Sequence, residues 1–414
     1  MLRTTLVPIA ILLCIFVCGV TGAVPAAAAT YHVMKTGSDS NSCSSGAPCL
    51  TIARGLNMLS AGDTLVIHAG TYAENNLQPP GGKAGAPVTV MGVTDETVTI
   101  RPTSNVAPGF SLSQSKAFIT IKNLKIDGNE FVSYGIHIEA ADVTIEDVEI
   151  AYPRNQGVAL YRQPHGTSQR VTLRNLNVHH TGQGTSGCNG TTPKPGYCHG
   201  VYMQTSDNVI DGGSFHHCNG YGLQIYPYGN NNTIKGITSY SNASGGIVLG
   251  SGDGHLLSNS IFRNNGRGIN VNSGNVRVYH NTVYNNNLSE LSCCNDHHGI
   301  VIGGRSSGAE VRNNIAFANL GGDISINSWS ASTSNNLTSN PLFVDATNND
   351  FHLASGSPAI NAAPCLGAVT TDRDGAARPV GASCDIGTYA FGSNVQPPLT
   401  PPLPMHLRAI STTP

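Results

Sequence analysis

Seven residues stand directly before a recurring tetrapeptide of glycine, apolar, any residue, apolar: Tyr134, Gln156, His199, Tyr221, Gly245, Arg267 and His298. Two residues beyond each glycine lie His137, Ala159, Tyr202, Gln224, Val248, Asn270 and Val301. Four beyond lie Glu139, Tyr161, Gln204, Tyr226, Gly250, Asn272 and Gly303. These columns gather side chains that stack on sugar faces and hydrogen-bond hydroxyls and carboxylates. Abstracting the proton beside a uronate carboxylate needs a base and a positive charge for the enolate-like intermediate. His199 or Tyr221 is the candidate base, and Arg267 the carboxylate partner. The candidate sugar contacts are His137, Tyr161, Tyr202, Gln204, Gln224, Tyr226, Asn270 and His298.

Other chemistries fit less well. Glycoside hydrolysis wants two carboxylates ~5 to 9.5 Å apart, and these columns offer Glu139 and little else. Asp142, Glu146, Asp147 and Glu149 crowd one segment, but strand alternation would split them between faces, so calcium lacks support. The pairs His179-His180, His216-His217 and His297-His298 look zinc-like, yet neighbours on a strand point opposite ways. No metal or cofactor is therefore expected. Lys235 is a further possible base, but its column of Glu146, Arg174, Asp211 and Lys235 alternates in charge and reads as an ion-pair ladder.

The elements that must position these residues follow from the repeat. The glycines fall at 135, 157, 200, 222, 246, 268 and 299, in steps near 22 residues with two longer ones. A degenerate copy, Asp323-Ile-Ser-Ile, follows. Period-2 apolar alternation implies strands, three to a coil. A second signature ends in Asp147, Asn175, Gly212, Gly236, Asn259, Asn281 and Asn313, residues that tolerate a left-handed corner. A column of Asn219, Asn242, Asn265, Asn287 and Asn319 suggests amides bonded from coil to coil. The two long steps are insertions, about 182–198 and 288–297. They would wall a floor four coils long, roughly 19 Å at ~4.8 Å per coil.

The ends and the composition set the remaining bounds. Arg3, the apolar run Leu6 to Val20 and Ala27-Ala28-Ala29 read as a signal peptide over 1–29. No membrane span is expected after its removal. Thr51 would cap a short helix carrying Ile52, Leu56 and Leu59. Cysteines number 11, and close pairs suggest Cys43 with Cys49, Cys188 with Cys198, and Cys365 with Cys384, leaving Cys218 buried. A net charge of −2 with 11% charged residues gives no footprint for nucleic acid. The proline-rich stretch from Gln396 reads as a disordered tail.

Three blocks then resemble known proteins. Tyr31-His-Val-Met-Lys-Thr-Gly-Ser-Asp39 and Gly62-Asp-Thr-Leu-Val-Ile-His-Ala-Gly-Thr-Tyr72 resemble the opening of bacterial relatives of polysaccharide lyase family nine. The coils resemble the pectate-lyase-like repeat. Asn340-Pro-Leu-Phe, Ser355-Gly-Ser-Pro-Ala-Ile-Asn and Asp385-Ile-Gly-Thr-Tyr resemble a closing segment of exported β-helix proteins. The resemblance implies an all-β, right-handed, single-stranded parallel β-helix with a short N-terminal capping helix. Its divisions would be a signal at 1–29, a cap and first coils at 30–116, repeats at 117–336, a closing segment at 337–392 and a tail at 393–414. It implies a secreted, extracellular or periplasmic bacterial monomer. Its partner would be an acidic polysaccharide, bound and cleaved by β-elimination. The alternative is a non-catalytic adhesive or structural protein of a surface or matrix.

Overall fold

The computed structural model describes residues 27–103, 107–161, 169–183, 197–286, 297–379 and 383–392. Most of the segment expected to be a signal peptide, the tail, Cys188 and most of both insertions lie outside them. Among the described residues the chain is a parallel β-solenoid. One nine-stranded sheet, sheet 1, runs from Phe110–Leu112 through Tyr134–Ile138, Tyr221–Ile225 and Gly245–Leu249 to Ile324–Ile326. A twenty-stranded sheet bends round a corner and supplies the other two faces. Sheet 2 holds strands such as Thr233–Lys235, and sheet 3 strands such as Thr238–Tyr240. Parallel pairing starts at Thr30 with Thr64, so coils are stacked well before Ala117.

Each strand turns alternate residues inward. Ile136, Ile138, Leu223, Ile225, Ile247, Leu249, Ile269 and Val271 are at most 1% exposed. Burying one such side chain is worth about 1.5–3 kcal/mol, and no coil can do so without its neighbours. The helix Ile52–Leu56 starts at Thr51, whose hydroxyl accepts from Arg54 N. Glu74 accepts from the Ile52 and Ala53 amides, placing negative charge at the helix N-terminus.

The corner between sheets 2 and 3 is left-handed at Asn123, Asp147, Asn175, Gly212, Gly236, Asn259, His280 and Asn313. Asn281 was expected there, but Leu257 pairs with Val278, so the true register is one residue earlier. Asn281 belongs instead to a buried amide ladder. Ser260 N donates to its Oδ1, Asn281 N donates to Asn314, and Asn314 N to Asn336. The expected ladder is also shifted, because Cys218 replaces Asn219 and Asn286 replaces Asn287. It runs Cys218, Asn242, Asn265, Asn286, Asn319, at 3.0 to 3.1 Å per backbone donor. A third ladder links Val171, Asn208, Asn232 and His255.

The charge ladder of sheet 2 is present, with Arg174–Glu146 and Lys235–Asp211 each at 3.2 Å. Disulfides join Cys43 to Cys49 and Cys365 to Cys384, while Cys218 is a buried free thiol. Cys198 is disulfide-bonded as well. Among the described residues no helix is long and apolar enough to cross a membrane.

Beyond the last coil the chain makes an antiparallel hairpin, Phe343–Asp345 with Asp350–Leu353, and returns along the stack. His352 bridges Asp350 and Asp374, with Nε2 2.8 Å from Asp374, and stacks on Tyr389 at 3.9 Å. The bond to Asp374 does most to raise its pKa to about 9. A raised pKa stabilises the folded state fully below the unfolded value near 6.5, and that stability is lost as pH climbs through about 9. The unfolding midpoint should therefore fall between about pH 7 and 9.5, and His352→Gln should flatten that part of the profile. A wild-type profile parallel to that of the variant would remove this assignment.

Candidate functional site

The outward residues of sheet 1 stand in the expected register: His137, Ala159, Tyr202, Gln224, Val248, Asn270 and Val301 pair successively. Period 2 turns them all outward because their neighbours fill the core, although Ala159, Val248 and Val301 are buried. The structure joins the N-terminal part of this face into one aromatic sheet. Tyr134 stacks on His137 at 5.5 Å, and His137 meets Tyr161 edge-on at 5.2 Å. Tyr161 leans on Tyr202 at 5.7 Å, and Tyr202 stacks on His199 at 5.8 Å. The Tyr134 and Tyr161 hydroxyls are 3.3 Å apart, and Gln204 donates to Tyr202 Oη at 3.3 Å.

Burial favours the neutral forms of these rings. It lowers the His137 pKa, with Glu139 opposing, and raises that of Tyr161, helped by Tyr134. A permanent charge enters at Arg267, whose Nη1 lies 3.4 Å from Tyr221 Oη. The glycine of the next coil makes this possible. A Cβ at Gly245 would fall 2.8 Å from Tyr221 Cε1 and 3.3 Å from Arg267 Cβ. Gly245 thus lets both side chains lie along the solenoid axis.

The three residues expected to act on a proton are connected, but they are less open than their corner position suggested. His199, Tyr221 and Arg267 are 3%, 8% and 5% exposed. His199 Nδ1 accepts from Tyr221 N at 3.0 Å, so the ring proton sits on Nε2, on the Gln224 side. Burial pushes its pKa down to about 3. This geometry makes His199 a support for Tyr221 and Gln224, with no free nitrogen for a substrate proton. Tyr221 Oη and Arg267 remain side by side.

Tyr226 stands at the far edge of the face, about half exposed, beside Gly250. Asn270 accepts from Asn272 at 3.0 Å, apart from the aromatic group. His298 lies one coil beyond Arg267, over Gly322. Both insertions expected to wall the floor fall mostly outside the described residues. The exposed aromatics that were not foreseen include Tyr228 and Trp329, the latter 94% exposed. Each is three residues past an inward isoleucine, Ile225 and Ile326, so counting on from the strand would have found them. They share a corner, four coils apart.

Among the described residues no three His, Cys, Asp or Glu side chains converge on one ion. The arrangement offers ring faces, hydroxyls, amides and one guanidinium along a rigid surface, a set suited to sugar rings.

Residues 167–341 match the family described as the right handed beta helix region. No curated protein sequence matches the chain. Among solved structures, pectate lyase Pel9A is similar, at 19% identity and a TM-score of 0.69, over 87% of this chain and 96% of that one. XylC in complex with xylose is similar at 13% identity and a TM-score of 0.55, over 72% of this chain and 69% of that one. These likenesses establish the fold, and the right-handed parallel β-helix that was expected is the fold observed.

Proposed function

We propose that this protein binds an acidic polysaccharide along the outer face of sheet 1 and cleaves it by β-elimination. The observation that carries this reading is the unbroken run of ring contacts from Tyr134 to His199, which continues through Tyr221 to Arg267. The rings offer stacking surfaces, and Gln204, Gln224 and Asn270 offer amides to hydroxyls. Arg267 would hold the uronate carboxylate and stabilise the charge that develops as the α-proton leaves. Tyr221 Oη, deprotonated beside that guanidinium, is the proton acceptor in this scheme and ends as the neutral phenol. Structures similar in fold include a pectate lyase and a xylose-bound protein, which supports a carbohydrate ligand here. Two disulfides support export to an oxidising compartment; we place the protein outside the bacterial cytoplasm, as a monomer.

A non-catalytic adhesive or structural role is the second reading, favoured by the low exposure of Tyr221 and Arg267. The two separate in one experiment. Pectate, alginate and glycosaminoglycan polymers are incubated with the protein, with and without calcium, and the ultraviolet absorbance of unsaturated uronates is followed. A rise abolished by Arg267→Ala and by Tyr221→Phe is the expected result. Binding of a polymer that persists with no rise would leave the adhesive reading standing. Neither binding nor cleavage of any acidic polymer would remove the proposal.

A further inference from the structure

Sheet 3 carries a second run of stacked rings, away from sheet 1. Its last strand residues pair in the order His179, His216, Tyr240, Arg263, Tyr284 and Phe317. The residue after each is a left-handed corner, His180 at φ 55° and His217 at φ 54°. Alternation along the strand, which would send neighbouring histidines to opposite faces, therefore stops at these positions. The corner turns the second ring back onto the first. His179 Nδ1 and His180 Nδ1 are 2.7 Å apart, and His216 Nδ1 and His217 Nδ1 are 2.8 Å apart. The pairs stack one above the other, 4.9 Å between ring centres.

We propose that His179 and His180 chelate one borderline divalent transition-metal ion, Zn2+ or Cu2+, through their Nδ1 atoms. The tautomers are already arranged for it. His179 Nε2 faces Glu149 at 3.3 Å, a carboxylate that only accepts, so Nδ1 of His179 carries the lone pair. The hydrogen shared between the Nδ1 atoms then belongs to His180. The ion takes its place, and His180 carries its proton on Nε2 instead. Metal–nitrogen bonds of ~2.0–2.1 Å need the nitrogens a few tenths of an ångström further apart, a small ring rotation. A histidine held by a carboxylate through its outer nitrogen is the usual support for a metal ligand.

The lower pair is favoured over the upper. Glu149 lies beneath His179, though Lys125 shares it at 2.7 Å. His216 is oriented by the neutral Asn177 amide, and the Arg263 guanidinium stands beyond Tyr240 on that side. A second ion one coil away would meet the first at close range, so one equivalent is expected. Because only two nitrogens converge, solvent or another ligand fills the rest of the shell. Imidazole ligands exclude a hard ion such as Ca2+.

The protein is titrated with CuCl2, ZnCl2 and CaCl2 by calorimetry, and the copper form is examined by electron paramagnetic resonance. One equivalent of Cu2+ or Zn2+, no Ca2+ at the same site, and hyperfine structure from two nitrogens are the expected results. His179→Gln and His180→Asn, the latter tolerating the left-handed corner, should abolish binding, whereas His217→Asn should retain it. Glu149→Gln should weaken it by about tenfold. Wild-type binding equal to that of the His179→Gln/His180→Asn double variant would overturn the proposal, as would equal loss in His217→Asn. The nitrogen count is read on unaltered protein, so it stands even where a variant does not fold.

Discussion

Asn265→Leu is expected to destabilise the protein by about 3–5 kcal/mol, although leucine keeps the heavy-atom count and the branching of asparagine. Asn265 Oδ1 accepts both the backbone and side-chain amides of Asn242, each at 3.0 Å. Its own Nδ2 donates to Ser239 O and to Asn286 Oδ1, each at 3.0 Å. All of these groups are buried, and water cannot replace the lost partner. Leucine therefore leaves the Asn242 backbone amide without its acceptor, and removes one partner each from Asn242 Nδ2, Ser239 O and Asn286 Oδ1; a stranded buried donor costs about 1–3 kcal/mol and each lost bond about 0.5–1.5 kcal/mol. Lys235→Ala is the comparison, because its ion pair with Asp211 is about half exposed and should contribute under about 1 kcal/mol. Urea midpoints of the two variants decide the matter. A loss from Asn265→Leu no larger than from Lys235→Ala would mean that the ladders add nothing beyond ordinary strand pairing.

The second large effect is expected from Arg378→Met. Arg378 is 7% exposed and donates to the carbonyls of Asp385, Gly387 and Thr388 at 2.8 to 3.1 Å. It also reaches Asn259 Oδ1 at 3.4 Å, on a coil more than a hundred residues earlier. Burial lowers its pKa to about 10, so the guanidinium remains charged at neutral pH. Hydrogen bonds to a charged donor are worth about 1.5–3 kcal/mol each, and methionine makes none of them; a net loss on the order of 3 kcal/mol is expected. The damage should be local, so amide exchange of residues 370–390 should accelerate well before that of sheet 1. Uniform acceleration across the coils, or none at all, would contradict the role given to Arg378.

The coils were legible because one motif recurs, with glycine at each close approach between backbones. At Gly222, for instance, a Cβ would lie 2.8 Å from the carbonyl oxygen of Gly246 on the next coil. The register failed where neighbouring residues share a character. Val278 and Tyr279 are both apolar, so the corner was placed at Asn281 rather than His280. Asn285, Asn286 and Asn287 are consecutive, and period alone could not choose the ladder member. The site columns were right in order but wrong in depth. Side chains of Tyr221 and Arg267 lie over Gly245 and that of His199 over Gly220, so residues at an outer corner become buried. The relative facing of His179 and His180, and of His216 and His217, was misread for a different reason. A left-handed histidine is uncommon, though less rare than a left-handed branched residue, and nothing in the pair itself marks the turn.

The returning segment has a consequence for how the protein comes apart. A stack in which each coil touches only its neighbours opens from its ends, one unit at a time. Here Arg373 donates to Ile237 O and Thr238 Oγ1, each at 2.7 Å, and Thr388 Oγ1 meets Thr282 Oγ1 at 2.8 Å. The last part of the chain is thereby fastened to coils well inside the array. The terminal coil cannot fray without releasing those bonds, and the seam cannot close until the interior coils are stacked. Loss of the C-terminal end and loss of the middle become one event, which converts stepwise peeling into a single, slower barrier.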